Sequence, residues 1–283
     1  MSDNYQVVQL ANGAFSLRSE RYGETFHPAV GPVAEAQALY VDQLALVERV
    51  RNSTEEFVVW DVGLGAAANP VIFLNAVRRE TGTIRIVSFD YTTEPLQVAL
   101  HNQSALHYLR GWELDLTQLI TNRAHRFTTG NCTVSWELHL ADFPAFLKSS
   151  KATNLPKPSA IFYDAFSPAT NPAMWTLEVF TDLFRLLDPK TPCAMPTYSR
   201  STLLRVTLLL AGFYVGKGHA TGEKEETTIA ANSIQQISEP LDRAWLMRCK
   251  RSRSAEPLRD ATYRQAPLSD ATWEQLRMHP QFQ

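Results

Sequence analysis

Cysteine is scarce in this chain of 283 residues: Cys132, Cys193 and Cys249 lie far apart and form no C-x-x-C pair. That pattern excludes a disulfide framework and a cysteine zinc site, and it fits a reducing, cytoplasmic setting. Charge of one sign is also missing. The 27 Lys and Arg residues against 29 Asp and Glu leave a formal net charge of -2. No global field therefore advertises a polyanionic partner, and contact with nucleic acid must come from local patches. No apolar run reaches the roughly 18–20 residues of a membrane span. The polar N-terminus lacks the apolar core of a signal peptide, so no membrane association is expected. His101, His107 and His139 show no ligand spacing with acids or cysteines, and no metal is expected. There is no G-x-S-x-G nucleophile elbow, no internal repeat and no low-complexity segment.

What is present is an ordinary globular composition, 45% hydrophobic and 20% charged, enough for a sizeable core. Strands over 6–9 and 14–18 flank Asn12-Gly13, a good hairpin turn. A helix is expected from about Val33, with Ala36, Leu39, Tyr40, Leu44 and Val47 at helical spacing. From Phe57 strands and helices alternate. Strands are expected over 57–61, 84–90, 125–129, 133–140, 160–164 and 192–196. Helices are expected over 67–80, 93–109, 113–121, 142–147, 174–187 and 200–211, with Gly82 following the first. Residues 213–217 and 227–231 read as a closing antiparallel pair. This alternation predicts an α/β fold with a doubly wound, Rossmann-like sheet, an antiparallel C-terminal hairpin and a small N-terminal β-hairpin. Three regions follow: a hairpin and helix over 1–50, the main domain over 51–237, and an extension over 238–283. The extension, with its weak helix at 269–277, is expected to pack on the domain surface, partly mobile.

The most informative stretch is Val58-Val59-Trp60-Asp61-Val62-Gly63-Leu64-Gly65, followed by Ala66-Ala67-Ala68-Asn69-Pro70. An apolar strand runs into a glycine turn and a helix opens behind it. Gly63 and Gly65 carry no Cβ, so a ligand can approach their backbone, and the helix N–H groups can face it. Asp90 ends the next strand, 25 residues after Gly65, where a carboxylate can accept ribose hydroxyls. Asp142 fits two readings, an adenine contact and the N-cap of a short helix. Asp164 leaves a buried strand and is placed to hold an incoming amine or take its proton. Beyond it Phe166 and Trp175 offer faces on which a small planar substrate could stack, unless the segment is a stiff loop whose Trp is core. The glycines and charges of 216–226 read either as a mobile loop over the site or as a plain exposed hairpin loop.

Together, a glycine pair and successive strand-end acids resemble the S-adenosylmethionine methyltransferases; Ala68 stands where a dinucleotide fold has its third glycine. Asp164-Ala165-Phe166-Ser167-Pro168 with Asn171-Pro172-Ala173-Met174-Trp175 resembles the methyltransferase component of the bacterial tRNA wobble-uridine modification enzyme MnmC. Gly23-Glu24-Thr25-Phe26-His27-Pro28, with Gly31-Pro32-Val33-Ala34-Glu35-Ala36, is similar to the family's N-terminal entry segment, which lies near the methyl donor, and Gly222-Glu223-Lys224-Glu225 to its late basic loop. The family's glycine turn has a third glycine two residues before its Asn; here Ala67 stands there, ahead of Asn69.

The resemblance implies S-adenosyl-L-methionine as cofactor and N-methylation of the aminomethyl group on tRNA wobble uridine. Gly63, Gly65 and Asn69 would then line the donor site, with Glu35 on the donor's ammonium, Asp90 on the ribose and Asp142 on the adenine. Asp164 would be catalytic. Phe166, Pro168, Trp175 and Lys224 would meet the substrate, the anticodon region of tRNA. No second glycine fingerprint accompanies the first, so methyl transfer alone is expected, without the flavin oxidase of the family's fused form. The basic stretch Arg243, Arg248, Lys250, Arg251 and Arg253 either meets phosphates or is an ordinary solvated face. Methylation of a small-molecule amine, a non-catalytic cofactor-binding scaffold and a nicotinamide-dependent oxidoreductase are the competing readings.

Overall fold

The computed structural model describes residues 4–221 and 225–283. Strands β1 (Tyr5–Gln9) and β2 (Phe15–Ser19) form an antiparallel hairpin, Val7 opposite Leu17. Helix α1 (Pro32–Ala36), a π-helical turn (Gln37–Asp42) and α2 (Leu46–Arg51) lead into the main domain. Then come β3 (Phe57–Val62), α3 (Ala68–Val77), β4 (Thr81–Asp90), α4 (Glu94–His101), α5 (Glu113–Asn122), β5 (Ala124–Thr129) and β6 (Asn131–Leu140). Short helices α6 (Phe143–Leu147) and α7 (Ser150–Thr153) precede β7 (Ala160–Tyr163). Helix α8 (Leu177–Leu186), β8 (Ala194–Thr197), α9 (Thr202–Ala211), β9 (Tyr214–Gly218) and β10 (Thr227–Ala231) complete the sheet. Helices α10 (Arg243–Cys249) and α11 (Asp270–Arg277) follow it.

The eight strands run in the order β5-β6-β4-β3-β7-β8-β10-β9. The five from β6 to β8 are parallel; β5, β10 and β9 are antiparallel to their neighbours. Strand β3 lies in the middle and all its residues are buried, as a parallel strand covered on both faces must be. Its alternation divides the core. Phe57 and Val59 pack with the π-helical turn, α2, α3 and α5, whereas Val58, Trp60 and Val62 pack with α6, α8 and α9. In α8, Val179, Phe180, Leu183 and Leu186 form the buried stripe, each worth roughly 1.5–3 kcal/mol.

Several boundaries differ from the sequence reading, each for a local reason. The helix expected from Val33 is broken: α1 widens into the π-helical turn, and Ala45 at φ 48° separates it from α2. The helix expected over 93–109 ends at His101, where the Asn102 side chain donates to the Val98 carbonyl at 2.8 Å and a short 3-10 turn covers His107–Leu109. Gly82 lies inside β4, not beyond a helix end. Met174 and Trp175 belong to a 3-10 turn, and α8 starts later, capped by Thr176. The extension over 238–283 is not a surface attachment. Trp245, Leu246, Cys249, Leu258, Leu276 and Phe282 are buried in the same core as α8 and α9, and the Gln281 side chain bonds the backbone of Val215 and Leu241. An amphipathic stripe shared among short helices carries little periodicity, which hides such packing from the sequence.

One acid sits inside this core. Asp61 is fully buried in β3; its Oδ2 accepts the Ser88 hydroxyl at 2.7 Å, and Trp136 donates to that hydroxyl at 2.9 Å. Its Oδ1 has no partner among the described residues. Burial pushes its pKa from 3.8 up to about 7, opposed by the Ser88 bond and reinforced by the charges of Asp164 and Asp90. A carboxyl whose folded pKa is raised contributes less stability as pH rises toward that value, because the unfolded chain ionises first. Replacement Asp61→Asn keeps an acceptor for Ser88 and removes the charge. It is expected to raise Tm at about pH 8, with the gain shrinking toward about pH 5. Thermal unfolding at both pH values checks this; equal shifts at the two would contradict it.

Candidate functional site

The carboxyl ends of β3, β4, β6 and β7 open together into a cavity of about 710 Å³, where ligands of open α/β sheets bind. Its floor is the glycine turn. Gly63 (φ 92°) and Leu64 both donate to the Phe89 carbonyl, tying the turn to β4. A Cβ on Gly63 would lie 2.7 Å from the Asp164 carbonyl oxygen, so the backbones after β3 and β7 touch. A Cβ on Gly65 would lie 3.0 Å from the edge of the Phe26 ring. Ala67 has φ 58°, a backbone conformation that favours glycine, and forms the N-cap of α3.

Asp90 is held by backbone N–H groups: Gly65 donates to Oδ2 at 2.9 Å, Tyr91 to Oδ1 at 2.8 Å and Thr92 to Oδ1 at 3.3 Å. Burial raises its pKa to about 6, and these bonds oppose the rise. Asp142 accepts the Ala145 N–H at 3.3 Å, so it does cap α6, and it lines the cavity as well. Across from them Asp164 accepts the Asn69 side-chain amide at 2.8 Å. His27 lies between two carboxylates, Nδ1 3.5 Å from Glu35 and Nε2 3.6 Å from Asp164. Glu35 and Asn69 are almost wholly buried. The structure thus gathers Glu35, Gly63, Gly65, Asn69, Asp90, Asp142, Asp164 and Phe166 around one cavity.

Three expected substrate residues fare differently. Trp175 is fully buried; its Nε1 donates to the Phe166 carbonyl at 2.7 Å and its ring packs on Tyr163, Phe180 and Tyr198. It fixes the Phe166 backbone from behind and offers the cavity no face, so its reading as core is the correct one. Pro168 is not among the cavity-lining residues. Lys224, with Gly222 and Glu223, lies outside the described residues. Two of the five basic C-terminal residues are engaged in packing: Arg243 donates to the Phe282 carbonyl and Lys250 lies over the Trp273 ring.

The segment over 23–28, expected near the donor from its resemblance, does line the cavity; the sequence reading gave no role to Tyr22, Arg21 or Glu24. Tyr22 stacks on Phe166 with ring centroids 4.3 Å apart, and Arg21 lies over both Tyr22 and the half-exposed Tyr91. Glu24 accepts hydrogen bonds from Ser167 and Thr170, pinning the loop after β7. His27, inside that segment, was given no role of its own, since a lone histidine has no spacing signal and Asp164 stands far along the chain. The ligand-type atoms of His27, Glu35 and Asp164 lie within 4.8 Å of one another. The two carboxylates, however, meet opposite nitrogens of the ring, the arrangement of an ion-paired imidazole; a metal ion needs its ligands to converge on one point.

Residues 110–233 match the family model described as S-adenosyl-L-methionine-dependent methyltransferase. The chain is similar to tRNA 5-methylaminomethyl-2-thiouridine biosynthesis bifunctional protein MnmC of Methylibium petroleiphilum, at 27% identity over 83% of this chain and 36% of that protein. The protein of the same name from Caulobacter vibrioides is 29% identical over 74% of this chain and 35% of its own length. The chain therefore spans about a third of the length of these relatives. Among solved structures, MnmC2 from Aquifex aeolicus matches with a TM-score of 0.66 at 22% identity, over 98% of this chain and 84% of that one. A spermidine synthase in complex with the transition-state analogue AdoDATO matches with a TM-score of 0.50 at 10% identity, over 96% and 84%. At these identities the two structures bear on the fold.

The glycine turn gives two expectations for stability. Gly63→Ala meets backbone at a left-handed φ and is expected to cost about 2–4 kcal/mol; Gly65→Ala, meeting only a ring edge, should cost about 1 kcal/mol. Ala67→Gly removes a left-handed alanine and is expected to stabilise by about 1 kcal/mol. Denaturant unfolding of the three variants measures both; a smaller loss for Gly63→Ala than for Gly65→Ala would contradict the close approach to Asp164.

Proposed function

We propose, for a chain that belongs to the S-adenosyl-L-methionine-dependent methyltransferases and to the MnmC methyltransferase-domain family, that it methylates the primary amine of the aminomethyl group on tRNA wobble uridine. The observation that carries this reading is the place of Asp164. Its backbone touches the glycine turn and its carboxylate, held by Asn69 and His27, lines the same cavity as Asp90 and Asp142. The residues fit that donor in kind as well as in position. Glu35 is a buried carboxylate able to neutralise an ammonium, and Asp90 is fixed for hydroxyl groups by three backbone donors. Phe89 and Phe143 give apolar walls near Asp142.

The bound donor supplies a methyl carbon activated by its sulfonium. The chain has to place a neutral amine in line with the breaking bond, about 3 Å from that carbon. In this reading Glu35 and Asn69 hold the amino-acid part, with Gly63 and Gly65 admitting it to the backbone; Asp90 takes the ribose and Asp142 the adenine edge. Asp164 receives the acceptor's ammonium, orients it and accepts its proton. Phe166 and Tyr22 provide the planar floor for the base. Arg18 and Arg21 line the cavity mouth and suit flanking phosphates better than the C-terminal basic stretch. That rim favours a nucleotide acceptor over a free small amine. The names of the relatives refer to a tRNA 5-methylaminomethyl-2-thiouridine pathway, which agrees with this acceptor.

The test is incubation with labelled methyl donor and tRNA from a strain lacking the modification, followed by nucleoside analysis, with a parallel arm offering free amines. Label is expected on the aminomethyl nitrogen of wobble uridine; transfer to free amines alone would overturn the acceptor. Asp164→Asn is expected to lower turnover about 100-fold or more while donor binding persists. Unchanged turnover would remove Asp164 from the chemistry.

A further inference from the structure

An alkyl ammonium has a pKa near about 10 and an ordinary aspartic carboxyl one near about 4. Direct transfer of the acceptor's proton to such a carboxylate is uphill by a factor of about a million. A site with only Asp164 would hold the ammonium well and deprotonate it poorly. The structure places a better base behind that carboxylate. The His27 ring is buried, with its two nitrogens 3.5 Å from Glu35 and 3.6 Å from Asp164. Both spacings exceed ordinary hydrogen bonds, so the ring is held mainly by charge. The same Asp164 oxygen accepts the Asn69 amide at 2.8 Å, and it therefore faces two donors from two elements. His27 also has φ 47°, a conformation uncommon for a residue with a side chain and most often met where a site requires it.

We infer that His27 is a positioning residue that carries a proton between Glu35 and Asp164 in the free protein, releases it when the donor's ammonium binds at Glu35, and is then able to take, through Asp164, the proton that the acceptor amine must lose. This rests on the donor site proposed above. The balance is complete. One proton leaves His27 for solvent on donor binding. The acceptor ammonium then passes a proton to Asp164, which passes one to His27 Nε2 after their 3.6 Å spacing closes to hydrogen-bond distance. The amine's lone pair forms the new N–C bond while the C–S bond breaks with its electrons going to sulfur, and the product is a secondary ammonium.

The surroundings support a proton on His27 in the free protein. Burial works against the charge, but Asp164 and Glu35 outweigh it and bring the pKa to about 9. Tyr40, from the π-helical turn, and Tyr198, after β8, are phenols pushed well upward, first by burial and then by Asp164 and Glu35, so they stay neutral. Asp61, in β3, is close enough to Asp164 for that charge to raise its own pKa. Glu24 is tied to Ser167 and Thr170, and Asp90 to backbone N–H groups across the cavity. A cation arriving at Glu35 takes over the role of the imidazolium at that carboxylate, and the proton on His27 keeps only the support of Asp164.

Calorimetric titration of the full chain with S-adenosyl-L-methionine, at about pH 8 in phosphate and in Tris, counts protons exchanged on binding. The donor's own α-amino group, with a pKa of about 8, takes up protons equally in both proteins, so the difference is what is read: wild type is expected to release about half a proton per site or more beyond His27→Asn, chosen because asparagine tolerates this φ. Equal net proton exchange in wild type and variant would overturn the role of His27. Absence of any binding heat in wild type across a range of temperatures overturns the donor site itself, and is a different result. NMR titration of the labelled histidine rings in wild type keeps the proposal testable should the variant not fold. One ring should titrate near about 9 when free and at least tenfold more acidic with donor bound; an unmoved titration overturns the inference.

Discussion

The fold of the site depends on one close approach: the carbonyl of Asp164 occupies the space where residue 63 would carry a Cβ. Two parallel strands can end side by side with their turns in contact only if one turn is bare backbone. That contact sets where Asp164 leaves β7, and therefore where its carboxylate stands relative to the glycine turn. The loop beyond is then fixed from three sides. Trp175 and Tyr198 donate to the carbonyls of Phe166 and Ala165, and Glu24 accepts from Ser167. Phe166 is thus presented to the cavity by Trp175 from behind and by Tyr198 and Glu24 from the cavity wall.

Charge is the second organising constraint. Asp61, Asp90, Glu35 and Asp164 crowd into a space with few cations, and burial there favours the neutral forms of acids. The chain meets this in different ways at each position. Asp61 is left poorly compensated and its pKa rises to about 7. Asp90 is given three backbone donors. Glu35 and Asp164 share an imidazole. Negative potential of this kind suits a cationic ligand better than a phosphate-bearing dinucleotide, against the oxidoreductase reading. It also carries a stability cost in the free protein, as functional sites often do.

The N-terminal hairpin and the C-terminal helices act on opposite sides of this arrangement. The hairpin brings Tyr22, Arg21 and the His27 segment over the strand ends and supplies much of the cavity mouth. The C-terminal helices lie against α8 and α9 and complete the core on the face that carries Trp175. One terminus therefore shapes what enters, and the other stiffens the support beneath the floor.

The alternation of strands and helices was legible because central parallel strands are continuous apolar runs and their turns need glycine. Asp90, Asp142 and Asp164 could be picked out because strand ends at one edge of such a sheet converge. The role of the Trp175 ring could not be read, since an aromatic residue near a site looks the same whether it faces the ligand or the core. Helix breaks at Ala45 and Asn102 were hidden because packing, not local propensity, decided them. The sequence by itself determined the sheet, the glycine turn and the row of strand-end acids, through periodicity and backbone sterics that act over a few residues. Only the tertiary structure decided that His27, Glu35 and Asp164 meet and that Tyr22 covers Phe166, because burial and charge couple residues whose separation along the chain leaves no local pattern.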